Sequence, residues 1–176
     1  ATGTDVKRIT QKIKIPYPIF DKTKCKATVS QMDVKEWAAN LPGDIDVVYY
    51  DPPYNKHPYN IYYFLLDVIN NYDTSIDIPD TYRGQPEGRV RSLYNSSVHA
   101  KNELNDLLLH TRAKFVIISY FDKGVISFDE LSEILNTRTR HWEKIPIFHN
   151  TFNRLRGLAK SKNVTETKDF LFLLHL

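Results

Sequence analysis

The run Ile45 to Tyr50 (IDVVYY) feeds directly into Asp51-Pro52-Pro53-Tyr54. β-Branched and aromatic residues dominate it, which reads as a buried strand. Two consecutive prolines cannot continue a central ladder, because neither has an N–H to donate. The strand therefore has to stop at Asp51, and the chain has to turn away there. A carboxylate and an aromatic ring are left at the carboxyl end of a strand, where α/β sheets place their ligands. A plain proline-ended strand, with Asp51 capping backbone amides and Tyr54 packed in the core, is the alternative use of the same residues.

The rest of the chain gives that strand a context. Val29 to Trp37 combines a short apolar stretch with Asp33, followed by a short helix to Asn40. Tyr59 to Asn70 is apolar and aromatic enough for a packed helix. Residues 72 to 96 are a long polar stretch containing Pro79, Gly84, Pro86 and Gly88, and loops of that length in compact domains usually have a function. A helix is expected over roughly Ser97 to His110, with Val98, Leu104, Leu107 and Leu108 turned inward. Lys114 to Tyr120 (KFVIISY) reads as a second buried strand. Ser127-Phe128-Asp129-Glu130 is a capping box opening a helix with Phe128, Leu131, Ile134 and Leu135 at helical spacing. Lys144 to His149 and Asp169 to Leu176 read as two strands around a basic loop. Strand–helix alternation implies a parallel sheet with crossover helices, and the closing pair implies an antiparallel hairpin at one edge. The fold class is α/β.

Composition narrows the function. With 176 residues and 41% hydrophobic content, the chain can build one compact core. No apolar run approaches the length of a membrane span, and the first ten residues hold no signal-peptide block. A single cysteine, Cys25, excludes an internal disulfide framework and fits a reducing cytoplasm. Net charge is only +3, but the basic residues cluster. Residues 7 to 26 carry seven Lys or Arg against Asp21 alone. Arg83, Arg89 and Arg91 face only Glu87, and Arg154, Arg156, Lys160 and Lys162 have no acid among them. Such patches suit a polyanion or serve as ordinary solvated surface.

The chemistry of Asp51 to Tyr54 suits an exocyclic amine of a nucleobase. That nitrogen is a poor nucleophile, since its lone pair is delocalised into the ring. Two acceptors converging on its two hydrogens would draw it towards tetrahedral geometry and aim the lone pair at a methyl donor. A carboxylate oxygen of Asp51 supplies one acceptor and the Pro52 carbonyl the other. Tyr54 supplies a ring on which a base taken out of the duplex stack can rest.

Val47-Val48-Tyr49-Tyr50-Asp51-Pro52-Pro53-Tyr54-Asn55 resembles the catalytic motif of amino-group DNA methyltransferases. The longer stretch Asp51 to Leu66 (DPPYNKHPYNIYYFLL) is similar to bacterial restriction-modification adenine-N6 methyltransferases. Phe115 to Leu135 and Asn150 to Leu174 look like the next strand, loop and helix of that group and its closing hairpin. The resemblance covers most of residues 29 to 176. It implies the C-terminal part of a Rossmann-like S-adenosylmethionine-dependent sheet, with no metal, acting on double-stranded DNA. In the implied roles, Asp51, Pro52, Pro53 and Tyr54 hold the flipped adenine, and Asp33 and Asp51 lie near the cofactor. Asp33 has the competing reading of a helix N-cap. Asn55, Lys56, His57 and Tyr59 would line the target-base pocket or touch a phosphate. Arg83, Arg89, Arg91, Arg154, Arg156 and Lys160 are the candidate phosphate contacts, and residues 1 to 28 form a basic segment, read as the end of a target-recognition region.

The chain departs from that pattern in its glycines. The resemblance calls for a glycine-rich cofactor loop after a strand, yet none of Gly3, Gly43, Gly84, Gly88, Gly124 and Gly157 has a strand–glycine–helix context. The loop is expected upstream of residue 1, or beyond Leu176 in a permuted order. The chain is accordingly read as a fragment or one half of a split enzyme, partnered by the missing half or a restriction endonuclease. A non-catalytic DNA-binding half and an RNA adenine methyltransferase remain alternatives. The six histidines pair neither with Cys25 nor with each other at metal-ligand spacing.

Overall fold

The computed structural model describes residues 16–20, 24–72, 75–77, 79–81, 84, 88, 91–147 and 169–176. The chain falls into two units, Ala1–Gln31 and Met32–Leu176. In the first, the described residues are exposed and form neither helix nor strand.

In the second unit the described elements run α1 (Val34–Ala39), β1 (Val47–Tyr50), α2 (Tyr59–Tyr62), α3 (Phe64–Asn71), a 3-10 turn (Leu93–Asn95), α4 (Ala100–His110), β2 (Phe115–Phe121), α5 (Phe128–Arg138), β3 (Trp142–Ile147) and β4 (Asp169–His175). The four strands form one sheet in the order β1-β2-β4-β3. β1 pairs with β2 in parallel, from Val47 opposite Phe115 to Tyr50 opposite Ile118. β4 is antiparallel to both of its neighbours. It is therefore the one reversed strand of the four, inserted between β2 and β3.

Burial alternates along the strands because successive side chains point to opposite faces. Val48, Tyr50, Val116, Ile118, Tyr120, Phe170, Phe172 and Leu174 form one buried face. They share a core with Leu104, Leu107 and Leu108 of α4 and Leu131, Ile134 and Leu135 of α5. The capping box of α5 forms as its sequence predicts. Glu130 accepts from Ser127 N at 2.9 Å, and Ser127 Oγ accepts from Glu130 N at 3.3 Å. Ion pairs tie neighbouring helices at the surface: Lys35 of α1 meets Glu103 and Asp106 of α4, and Lys101 of α4 meets Glu133 of α5.

Three sequence expectations are corrected. The single packed helix over 59 to 70 is two short helices, broken where Tyr63 leaves helical geometry (φ −105°, ψ 8°). Neither buries a residue, and Leu65 and Leu66 are 67% and 56% exposed. Amphipathic periodicity there marks an apolar stripe, but no described element covers it. Val98 is exposed because the chain turns over Ser96 to His99 before α4 begins, so it never joins the helix face. The buried strand expected over 45 to 50 is four residues long and lies at the edge of the sheet among the described residues, with Val47 52% and Tyr49 56% exposed on the face turned away from the core. Removing a fully buried anchor should cost far more than trimming these. Leu104→Ala is expected to lower the unfolding free energy by about 2–5 kcal/mol, measured by urea denaturation, whereas Tyr49→Ala should cost much less.

Candidate active site at the end of β1

The position of Asp51 is set by the residue before it. Tyr50 is buried, with its hydroxyl 2.7 Å from Thr111 Oγ1. Thr111 spends its one hydroxyl hydrogen on the Leu107 carbonyl at 2.8 Å, so Tyr50 is the donor of the pair. Trp37 packs its edge on the Tyr50 ring with centroids 6.3 Å apart. Burial alternation carries through the end of the strand: Tyr50 is buried, Asp51 exposed, Pro52 buried. The carboxylate therefore faces out of the core, and it accepts no hydrogen bond among the described residues. It does not cap its own backbone. None of the turn and loop backbone bonds of the described residues uses the Pro52 carbonyl either.

The surroundings of Asp51 change its chemistry. Partial desolvation at the end of the sheet, and then the negative charge of Asp169, push its carboxyl pKa up. Asp169 opens β4 opposite Phe121, which closes β2. Reversal of β4 thus brings its amino end to the carboxyl ends of β1 and β2. The Tyr54 ring sits 6.3 Å from that of Tyr120 and 5.6 Å from that of Phe121. Its main chain is pinned where the Tyr54 carbonyl accepts from Val125 N at 2.8 Å. Burial raises the Tyr54 phenol, with Asp169 and Asp51 adding to the effect. The Tyr59 phenol is raised first by burial and then by Asp51.

Gly124 lets the β2–α5 turn close over this group. A side chain there would collide with Tyr120, whose Cζ lies 2.8 Å from the ideal Cβ position. The buried Tyr120 hydroxyl accepts from Ile126 N at 2.9 Å, so the ring is not free to withdraw.

The segment after Tyr54 is ordered by polar side chains. Asn55 Oδ1 accepts from His57 N at 2.9 Å, and the Asn55 carbonyl accepts from Asn95 Nδ2 at 2.7 Å. Lys56 and His57 are exposed. Four rings gather beside them: His57 and Tyr62 at 5.6 Å, Tyr59 and Tyr63 at 5.2 Å, Tyr62 and Tyr63 at 6.4 Å. Asn60 Nδ2 donates to the Gly88 carbonyl at 2.9 Å, which ties α2 to the polar stretch.

The structure brings Asp51, Pro52, Pro53, Tyr54, Asn55, Lys56, His57 and Tyr59 into one region, as their adjacency requires. Asp33 is the N-cap of α1: its Oδ1 accepts from Lys35 N at 2.9 Å and Glu36 N at 3.2 Å. Arg91 is exposed. Arg83, Arg89, Arg154, Arg156 and Lys160 lie outside the described residues. Among the described residues no group of three or more His, Cys, Asp or Glu could hold a metal, and no helix is long and apolar enough to cross a membrane. Sequence reading missed Asp169 and Asn95. Asp169 joins the site only through the strand order, and Asn95 looks like any turn former in a polar stretch.

Comparison with known proteins gives this geometry a setting. Over 132 residues the chain is 30% identical to the type II methyltransferase M.FokI of Planomicrobium okeanokoites, covering 73% of the chain and 20% of that protein. Over 164 residues it is 29% identical to the modification methylase StsI of Streptococcus sanguinis, covering 90% and 23% respectively. Over 148 residues it is 27% identical to the type II methyltransferase M.NlaIII of Neisseria lactamica, covering 83% and 42%. The chain is related in sequence to type II restriction-modification methyltransferases. It spans less than half the length of each of these three curated relatives. No family model matches the chain, and no solved structure matches it.

Gly124→Ala should force the Tyr120 ring, the edge-on neighbour of Tyr54, to shift. The expected loss is about 1–3 kcal/mol of stability, as for overpacking in general, read by chemical denaturation. Unchanged stability would show that the Tyr120 ring has room to move.

Proposed function

We propose that this chain, as a relative of type II methyltransferases, carries the target-base half of a DNA adenine-N6 methyltransferase active site. The observation that supports this most is the Asp51 carboxylate: it is fixed by a buried neighbour, faces outward, accepts no hydrogen bond among the described residues and has a raised proton affinity. A strand-end carboxylate in partial desolvation calls for donors, and an amino group of a base provides two hydrogens in a plane.

In this reading Asp51 accepts one amine hydrogen of a flipped adenine and the Pro52 carbonyl accepts the other. The cost of extruding the base, a few kcal/mol, is offset in part by stacking on Tyr54, worth about 1–3 kcal/mol. S-adenosylmethionine, when bound, supplies an electrophilic methyl group. The methyl–sulfur bond would break as the amine nitrogen forms its bond to that methyl, the neutral thioether being the leaving group, and the nitrogen would become cationic and have to lose a proton. Asp51 is the acceptor in place, and its raised pKa makes it a better one than an ordinary surface aspartate. The negative charge of Asp169 favours the same cation.

Asp33 is proposed as the acid near the cofactor, since both of its cap bonds fall on Oδ1. The methionine part of the cofactor needs a glycine-rich turn. Of the four described glycines, Gly124 is engaged in packing on Tyr120, Gly43 precedes β1 in open space, and Gly84 and Gly88 lie in the polar stretch between α3 and the 3-10 turn, with no described strand leading into them. We assign that turn to another portion of the protein or to a partner subunit. The sheet, with its single reversed strand, is read as the C-terminal part of a Rossmann-like methyltransferase sheet. Asn55, Lys56, His57, Tyr59 and Arg91 are proposed contacts to the target nucleotide and its phosphates, together with Arg83, Arg89, Arg154, Arg156 and Lys160.

Asp51→Ala in the full-length protein should abolish methyl incorporation into unmodified DNA while gel-shift affinity for DNA stays near wild type. Retained methylation would overturn the proposal. The pH profile gives a second test. Asp51 must be ionised to accept, and its pKa is raised, so the rate falls as pH drops through that raised value. The acid limb should thus lie above the ordinary aspartate value of about 3.9, and Asp169→Asn should move it down.

A further inference from the structure

Asn95 is 5% exposed, one of the two buried polar side chains among the described residues. It lies 40 positions from the segment it touches, at the end of the 3-10 turn Leu93–Asn95. Its amide is fully engaged. Oδ1 accepts from Ser92 N at 3.2 Å, and Nδ2 donates to the Asn55 carbonyl at 2.7 Å and towards the His57 carbonyl at 3.5 Å. The orientation of the amide follows from its partners, since an N–H needs the oxygen and two carbonyls need the nitrogen.

The two carbonyls belong to the segment immediately after Tyr54. Asn55 turns that segment by accepting from His57 N, and Asn95 braces it from outside. With Val125 N on the Tyr54 carbonyl, the main chain from Tyr54 to His57 is held at three of its four carbonyls. Rigid placement matters here because an acceptor pair that drifts by an ångström loses its alignment with the amine. We infer that Asn95 is a positioning residue for the target-base loop, acting through the main chain of Asn55 and His57 rather than by touching the base. This deepens the proposed methyl-transfer reading and rests on it.

Asn95→Asp separates the two uses of the side chain. A carboxylate keeps the acceptor for Ser92 N but sets oxygen against the carbonyls of Asn55 and His57. Ser92→Ala is the control: it removes the Oγ acceptor of Tyr94 N and leaves both uses of the Asn95 amide intact, because the N–H that Oδ1 accepts belongs to the main chain. In full-length protein with unmodified plasmid DNA and S-adenosylmethionine, Asn95→Asp should lower kcat by about tenfold or more, with KM for DNA within about twofold of wild type. Ser92→Ala should lower the melting temperature while kcat stays near wild type. If Asn95→Asp does not fold, Asn95→Ala is measured in its place and read the same way. Wild-type kcat in the Asn95 variant, or equal kcat losses in the Asn95 and Ser92 variants, overturns the assignment. Asp51→Ala is run alongside. If it methylates normally the site reading itself fails, whereas an inactive Asp51→Ala beside a fully active Asn95→Asp removes only this inference.

Discussion

The buried hydroxyl pair of Tyr50 and Thr111 fixes where the sheet ends and the site begins. One oxygen is on β1 and the other follows α4, so the bond joins strand to helix inside the core. An unpaired hydroxyl there would carry a desolvation penalty of about 1–3 kcal/mol, so neither partner tolerates separation. Arg138 adds to the junction by donating Nη2 to the Thr111 carbonyl at 3.0 Å. Since side chains alternate along an extended chain, holding Tyr50 inward sends Asp51 outward and Pro52 inward. Everything at the site inherits its direction from that anchorage.

Electrostatics follows from topology. A reversed strand between two strands of the opposite sense puts an amino end where a sheet otherwise has only carboxyl ends. Asp169 arrives in this way, 118 positions after Asp51 in sequence but at the same edge of the structure. Partial desolvation, and then the like charge of Asp169, resist ionisation, which is why the Asp51 carboxyl lies above its ordinary range.

Much of this was legible in the residues. The prolines after Asp51 announced the strand end, the Ser127–Glu130 box announced α5, and the apolar runs announced β2 and β4 to within a residue or two. What the sequence hid depended on long-range neighbours. Tyr49 and Val47 look like core residues, because a run of apolar side chains does not say which of its faces is covered. The stripe on α3 has the right period for packing, yet period alone supplies no partner. Asn95 carries a short polar side chain in a polar stretch, and only the folded chain reveals two carbonyls waiting for it. Asp33 had two readings from the start, and the cap is the one seen in the geometry.

The position of β4 has a consequence for how the molecule is made. β4 comes latest in sequence of the four strands, yet it is the seam joining β2 to β3. During synthesis β1 and β2 can pair early, but β3 has nothing to bind until residues 169 to 175 emerge from the ribosome. The nascent chain must therefore carry an unpaired strand for some time, and contacts so distant in sequence close slowly.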